Sequence, residues 1–332
     1  MRRSLYTGLG ALAAAAALSA AATGYHVVGE IQIGGEGGWD YLTVDSAARR
    51  LYVSHGTHVA VVDLDSNKVV GDIPDTPGVH GIAIAPELNK GFISNGRGNT
   101  VTIFDLKTLK STGTAATGEN PDSIRYDSTS GRVFAFNGRS KSATAIDAKS
   151  GSVAATIQLP GKPEFSVADG KGHVYVNIED TNEIVEIDAA KATVTKKYSL
   201  SPCDGPSGLA IDTKSRRLMS VCSNRVMAVS DPDAGKVVAT PAIGAGSDGA
   251  AFDPGTGYAF SSNGDGTLTV VQQTGGKWEV VENIATERGA RTIAIDEKTH
   301  KIYLPTAKTA PSQGGGRASY LPNTFKVLVV GK

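Results

Sequence analysis

Strand-closing turns that recur every 40 to 43 residues, short alternating apolar runs around each turn, and a strand-like segment near the N-terminus together predict an all-β chain, a seven-bladed β-propeller of four-stranded blades. The stretch Pro121 to Asp147 shows the unit most plainly. A short run ends in Asp127, a Ser/Gly turn leads to a second run (Arg132 to Phe136), and the dipeptide Asn137-Gly138 precedes a third (Ala143 to Ile146). Alternation over four to six residues between turn-forming residues is the pattern of strands in a meander. Such a meander cannot bury both faces alone, so its repetition decides the architecture.

Taken in order, the first strands end at Thr43-Val44-Asp45, Ala83-Ile84-Ala85, Arg125-Tyr126-Asp127, Val167-Ala168-Asp169, Ala210-Ile211-Asp212, Ala251-Phe252-Asp253 and Ala294-Ile295-Asp296. All but Ala85 close on Asp, which caps a turn by accepting hydrogen bonds from the backbone just ahead of it. Second strands read as Leu51 to Ser54, Gly91 to Ser94, Val133 to Phe136, Val174 to Asn177, Leu218 to Val221, Tyr258 to Ser261 and Ile302 to Leu304. Third strands follow at Val59 to Asp63, Val101 to Asp105, Ala143 to Asp147, Ile184 to Asp188, Val226 to Ser230, Leu268 to Val271 and Lys326 to Val330. Outer strands are weaker, as in Val69 to Ile73 and Val153 to Leu159. Asn-Gly at 95–96, 137–138 and 263–264 reads as a set of hairpin-turn dipeptides.

The seventh unit stops after its third strand. His26 to Ile33 (HVVGEIQI) is strand-like and is expected to supply the missing outer strand, closing the ring and removing two exposed edges. No linker interrupts residues 25–332, so one domain is expected there. Thr306 to Asn323 is a Gly/Pro/Ser-rich insertion where other units have a short turn, a length that in a compact fold is usually either functional or disordered.

Residues 1–24 carry Arg2 and Arg3, an Ala-rich apolar stretch from Leu9 to Leu18, and small residues at Ala20 to Ala22. That is the layout of a secretory signal peptide, too short and poorly flanked to span a membrane. The mature chain is therefore expected in the periplasm or outside the cell, without a transmembrane anchor. Lys+Arg and Asp+Glu both number 33, a balance that argues against a nucleic-acid-coating surface. Cys203 and Cys222 are the two cysteines. They fall on antiparallel neighbours of the fifth unit, on one face, and are expected to form a disulfide in an oxidising compartment.

With these residues in view, the chain resembles the YVTN-type, YncE-like family of exported bacterial seven-bladed propellers. The resemblance rests on the repeated strand pairs, the turn Ser262 to Leu268 (SNGDGTL) and the closing TFKVLVV of Thr324 to Val330. It covers the chain after residue 24 and implies a fold, not an activity. The first unit departs from the family pattern at Trp39 and the seventh in its insertion, and these two units adjoin around the ring.

Linear motifs supply no catalytic centre. Gly34 to Gly38 precedes a strand rather than a helix, so it is no phosphate cradle. Asn263 to Gly266 lacks the downstream ligands of a calcium loop. The register itself supplies the candidate site. Asp40, His80, Asp122, Glu164, Ser207, Asp248 and Arg291 open the seven innermost strands, and the next residue is small in five of them (Gly81, Ser123, Gly208, Gly249 and Thr292), as crowding around a channel demands. Four carboxylates, an imidazole and a guanidinium are thereby expected in a ring at one channel mouth. Arg97 and Arg139 follow Asn-Gly and are expected over the same face, with His55 nearby. His26, His58, His173 and His300 are expected to be ordinary surface residues.

Such a ring suits mutual pairing with channel water, or a small-molecule or protein ligand. It also offers oxygen and nitrogen ligands to a divalent cation. The expected function is a monomeric exported propeller binding a small ligand or partner at the channel mouth. The competing reading is a metal-assisted hydrolase, lactonase or lyase at the same place, using Asp122, Glu164 and His80 with Arg97 and Arg139 gripping an anionic substrate.

Overall fold

The computed structural model describes residues 23–36, 38–310 and 319–332; the expected signal peptide lies almost wholly outside them. Seven four-stranded antiparallel sheets form the blades, each a meander from innermost to outermost strand. Blade one runs Leu42–Asp45, Arg50–His55, His58–Asp63, Lys68–Ile73, and blades two to six repeat it with innermost strands Val79–Ala85, Pro121–Asp127, Pro163–Ala168, Pro206–Asp212 and Ser247–Asp253. Blade seven is built from both ends of the chain: Ala294–Asp296, Lys301–Thr306 and Lys326–Gly331 are completed by His26–Gln32 as the outermost strand. The expected closure is therefore present, with Glu30 opposite Leu328 and Ile31 opposite Val327.

The two middle strands of a blade are buried on both faces because each sheet is covered by its neighbours, which explains their near-continuous apolar runs. The core is accordingly a series of clusters between blades. One of them sets Phe134, Phe136 and Ala145 of blade three against Val174, Val176 and Val185 of blade four. Outermost strands leave Val70, Val69 and Val153 exposed. Every blade also carries a register shift between its third and outermost strands, as at Val61/Val62 and Val270/Val271. The seventh carries its own at Val27/Gly29. Bulges of this kind twist an edge away from further pairing, a protective device that the sequence pattern did not display.

The capping role of the acidic turns is met in full detail. Asp45 accepts from the Ala47 and Ala48 N–H groups (3.1 and 2.9 Å), Asp127 from Ser130, Asp253 from Gly255 and Asp296 from Lys298. Several of these carboxylates also reach the adjoining blade: Arg49 of blade one bonds Asp296 of blade seven, Arg216 bonds Asp169 (3.3 Å) and His300 bonds Asp253 (2.9 Å). His300 is thus a clasp between blades six and seven rather than a free surface residue.

The Asn-Gly pairs are not the hairpin dipeptides expected. None of Asn95, Gly96, Asn137, Gly138, Asn263 or Gly264 has the positive φ that a two-residue turn requires; that conformation falls later, at Asn99, Lys141 and Gly266. Each Asn is instead the last residue of a second strand, buried, its amide donating to two hydroxyls of the neighbouring strand. Asn95 holds Thr100 and Thr102, Asn137 holds Ser142 and Thr144, and Asn263 holds Thr267 and Thr269, all at 2.8–3.1 Å.

Candidate functional site at the channel mouth

The seven register positions do come together, because the inner strands approach one another very closely. A Cβ on Gly208 would stand 2.7 Å from the Gly249 Cα, and one on Gly249 would stand 2.8 Å from Ile293. Small residues one step after the ring positions are thus a requirement of convergence. The ring residues do not open the strands as expected: in blades two to six each is the second residue of its strand, and in blades one and seven the innermost strands start at Leu42 and Ala294, beyond Asp40 and Arg291. The backbone there pairs sideways instead. The Tyr41 N–H donates to the His80 carbonyl (3.2 Å), and the Thr292 hydroxyl donates to the Asp40 carbonyl (2.7 Å). Second-strand serines fix the rest. Ser54 accepts from the Asp40 N–H (2.8 Å), Ser94 donates to the Asp122 carbonyl and Ser262 to the Arg291 carbonyl (both 2.5 Å).

Among the side chains, His80 is central. Its Nδ1 lies 2.5 Å from Asp40 Oδ2 and 3.7 Å from Asp122 Oδ1. Burial alone would drive proton loss from the ring, but the Asp40 hydrogen bond and the charges of Asp122, Asp40 and Glu164 outweigh it and lift the imidazole pKa to about 9. Asp122 is pushed up to about 7, chiefly by burial and then by Asp40, against the attraction of His80. Its Oδ1 is buried with no hydrogen-bond partner among the described residues. Glu164 is raised to about 8 by burial and by Asp122, although Lys162 stands 2.6 Å away and also bridges to Glu179 at 2.5 Å. Asp248 is raised as well, by burial and by Asp40, and receives the Arg291 Nε at 2.6 Å.

Over this ring opens a pocket of about 520 Å³, lined by Asp40, His80, Arg97, Arg139 and Arg291 together with Trp39, Val79 and Asn120. Five of the nine candidate residues therefore face one space, while Asp122, Glu164 and Asp248 are not among its lining residues and instead pair with His80, Lys162 and Arg291. Arg97 and Arg139 are exposed and form no ion pair among the described residues. Gly96 makes room for this arrangement, since a Cβ there would be 2.6 Å from His80 Nε2.

His55 does not join them. It is buried beneath Gly35 and packed on Phe325 and His58 (ring centroids 4.6 and 4.7 Å), and both ring nitrogens lack partners among the described residues. Burial and the neighbouring His58 push its pKa down to about 4, which keeps it neutral. The aromatic seam between blades one and seven encloses it instead of leaving it in the pocket. Trp39 belongs to the same seam, stacked on Phe325 at 5.1 Å and tilted against Tyr320 of the insertion at 4.6 Å.

Two further features had no linear trace. Lys162 stands beside Glu164, and its backbone N–H donates to Asp180 Oδ1 (2.7 Å), a carboxylate that approaches so closely that only a glycine fits at position 161. Beneath the ring, Tyr41 of blade one meets Phe165 of blade four edge-on at 4.9 Å, so the two rings touch across the channel. Burial and the charges of Asp122, Asp40, Glu164 and Asp248 raise the Tyr41 pKa well above the ordinary phenol value. The expected Cys203–Cys222 disulfide is present, with Cα atoms 5.5 Å apart, stapling blade five on the mouth side.

The architecture is shared with a chain of Kuenenia stuttgartiensis hydrazine synthase, with a TM-score of 0.72 over 88% of this chain and 96% of that one. Sequence identity is 14%, so the likeness is one of fold. No family model and no curated protein matches the sequence. What stands of the resemblance to YVTN-type propellers is accordingly the seven-bladed ring. No helix among the described residues is long and apolar enough to cross a membrane.

Proposed function

We propose that this propeller is an exported binding protein whose channel-mouth pocket takes a small anionic molecule, one bearing carboxylate or phosphate oxygens. The observation that carries the reading is the pair Arg97 and Arg139, two guanidiniums without carboxylate partners among the described residues, facing the same pocket as Arg291 and a protonated His80. Unsatisfied guanidinium forks are the groups best shaped to grip planar or tetrahedral oxyanions. The disulfide supports an oxidising location outside the cytoplasm. The resemblance to exported YVTN-type propellers points the same way.

The test is mass spectrometry of whatever the purified native protein releases on denaturation. An anionic compound released by the wild type and absent from Arg97→Ala/Arg139→Ala is the expected result. A neutral or cationic compound, or equal release from both proteins, would overturn the reading.

A divalent cation is the second reading, favoured by one observation: ligand atoms of Asp40, His80 and Asp122 all lie within 4.8 Å of one another. The donor set fits, since two carboxylates and an imidazole suit such an ion and Asp122 Oδ1 has no other partner. His80 would have to give up its Nδ1 proton, so binding would strengthen as pH rises. Hydrolase, lactonase or lyase chemistry at the pocket rests on this trio. Loss of a tightly held metal on chelation, together with loss of turnover, would favour it.

A further inference from the structure

Below the Tyr41–Phe165 contact the channel widens into a chamber of about 250 Å³, separate from the mouth pocket. Its wall is built by the middles of the inner strands, with polar and apolar surface in nearly equal shares and Ile82, Ile124, Leu209, Ala250 and Ile293 among the lining residues. One cation faces it. Arg125 of blade three donates through Nε and Nη2 to the Ser166 carbonyl (3.0 and 2.7 Å) and lies over the Phe165 ring at 5.4 Å. A guanidinium has five N–H donors, so three are left with no partner among the described residues. No carboxylate pairs with it either. Glu297 at the outer rim, an exposed residue, makes no ion pair with Arg125 among the described residues. Burial with no compensating charge pulls the Arg125 pKa down to about 10, which leaves the group charged at neutral pH.

A half-buried cation with no counter-charge leaves its free donors to whatever the cavity holds. Packing on Phe165 and bonding one carbonyl account for the stem and one edge of the fork, but not for the free edge directed at the cavity. We propose that the chamber is a second binding site, which takes a small carboxylate with a short apolar tail through the free edge of Arg125. The carboxylate accepts from the unpartnered N–H groups and the tail lies against Ile124, Leu209 and Ile293. The site is independent of the mouth pocket, because the aromatic pair lies between them.

The experiment is titration of the whole protein with hexanoate and with hexanamide, which has the same tail without the charge. Binding is read by calorimetry and by chemical shifts of labelled methyl groups. Hexanoate is expected to bind, with shifts at Ile124, Leu209 and Ile293, and hexanamide at least about tenfold more weakly. Arg125→Met should weaken the hexanoate binding read at Ile124, Leu209 and Ile293 by about tenfold or more, whereas the shifts at these three residues should persist in Arg97→Ala/Arg139→Ala, which can lose only binding at the mouth. Equal binding of both compounds at the chamber residues, shifts confined to Val79 at the mouth, or loss of the Ile124, Leu209 and Ile293 shifts in the mouth variant would each overturn the assignment. Should Arg125→Met fail to fold, the two compounds and the methyl shifts decide the matter on the wild type alone.

Discussion

The two ends of the channel carry acids in comparable numbers and treat them in opposite ways. On the turn side, each carboxylate is met by backbone N–H groups, and several are met also by a basic side chain from the next blade. Burial works against the charge of Asp169 and Asp296, but the bonds from Lys171, His173, Ser46, Thr299 and Arg49 prevail and hold both below the ordinary range. On the mouth side the acids face one another across a narrowing ring, and burial together with mutual repulsion lifts Asp122, Glu164 and Asp248. Satisfied acids of the first kind hold a fold together. Frustrated ones of the second kind cost stability and are retained where a ligand uses them.

The contrast presupposes a closed ring, so the largest effect should come from opening it. Deleting residues 25–33 removes the buried Tyr25 and Ile31 and leaves Lys326–Gly331 unpaired along its outer edge. The truncated chain is expected to aggregate or unfold without cooperativity. Melting like the full-length protein would show that closure contributes nothing.

Next in size is the turn side. Asp296→Ala removes one of the two carboxylate partners of Arg49, leaving Asp65, and strips the turn N–H and Thr299 hydroxyl of their acceptor, which should cost about 3 kcal/mol in denaturant unfolding. Replacing Cys203 and Cys222 by alanine reopens a loop with a sequence separation of 19 and should cost about 3 kcal/mol in the chain-entropy account. Blade five contributes only the uncharged Ser207 to the ring, so the mouth pocket should keep its ligand in that variant below its lowered melting point. On the mouth side, Glu164→Gln replaces an acid whose ionisation burial and Asp122 oppose, and should leave stability unchanged or slightly raised. A clear loss there would mean that the Lys162 pair outweighs the repulsion, and that the ring is channel lining rather than a site.

The pH response separates the two ends more finely. Asp122 and Glu164 keep their protons in the folded state up to about 7 and 8, against ordinary values of 3.8 and 4.5. Their contribution is complete at low pH and is lost as pH rises through that window. His80 acts in the same direction, its contribution present below 6.5 and lost as pH passes about 9. Asp169 and Asp296 run the other way: their contribution is present above their ordinary value and lost as pH falls through the depressed one. The melting temperature should therefore fall between pH 5 and 9, and fall less in Glu164→Gln. A flat profile in the wild type would remove the account of the mouth acids.

Most of the fold was legible because one register repeats, and Asp45 to Asp296 mark it in nearly every unit. The same register placed Asp40, His80, Asp122, Glu164, Asp248 and Arg291 in one ring, and Arg97 and Arg139 above it. Relations across the ring were not legible. Tyr41 and Phe165 lie 124 residues apart and meet only because blades one and four stand on opposite sides of the channel. Arg125 occupied a repeat position that read simply as strand. His55 and the Asn-Gly pairs misled for a related reason, since a local pattern of turn residues says nothing about what the neighbouring blade places over it.

The central claim is that the mouth is held in a frustrated state for an anionic ligand. The most direct measurement is the melting temperature at neutral pH of the wild type and of Arg97→Ala/Arg139→Ala, each with and without phosphate and citrate. The account predicts a concentration-dependent rise for at least one of these anions in the wild type, and none in the double variant. An equal rise in both proteins, or no rise in the wild type with either anion, would contradict it.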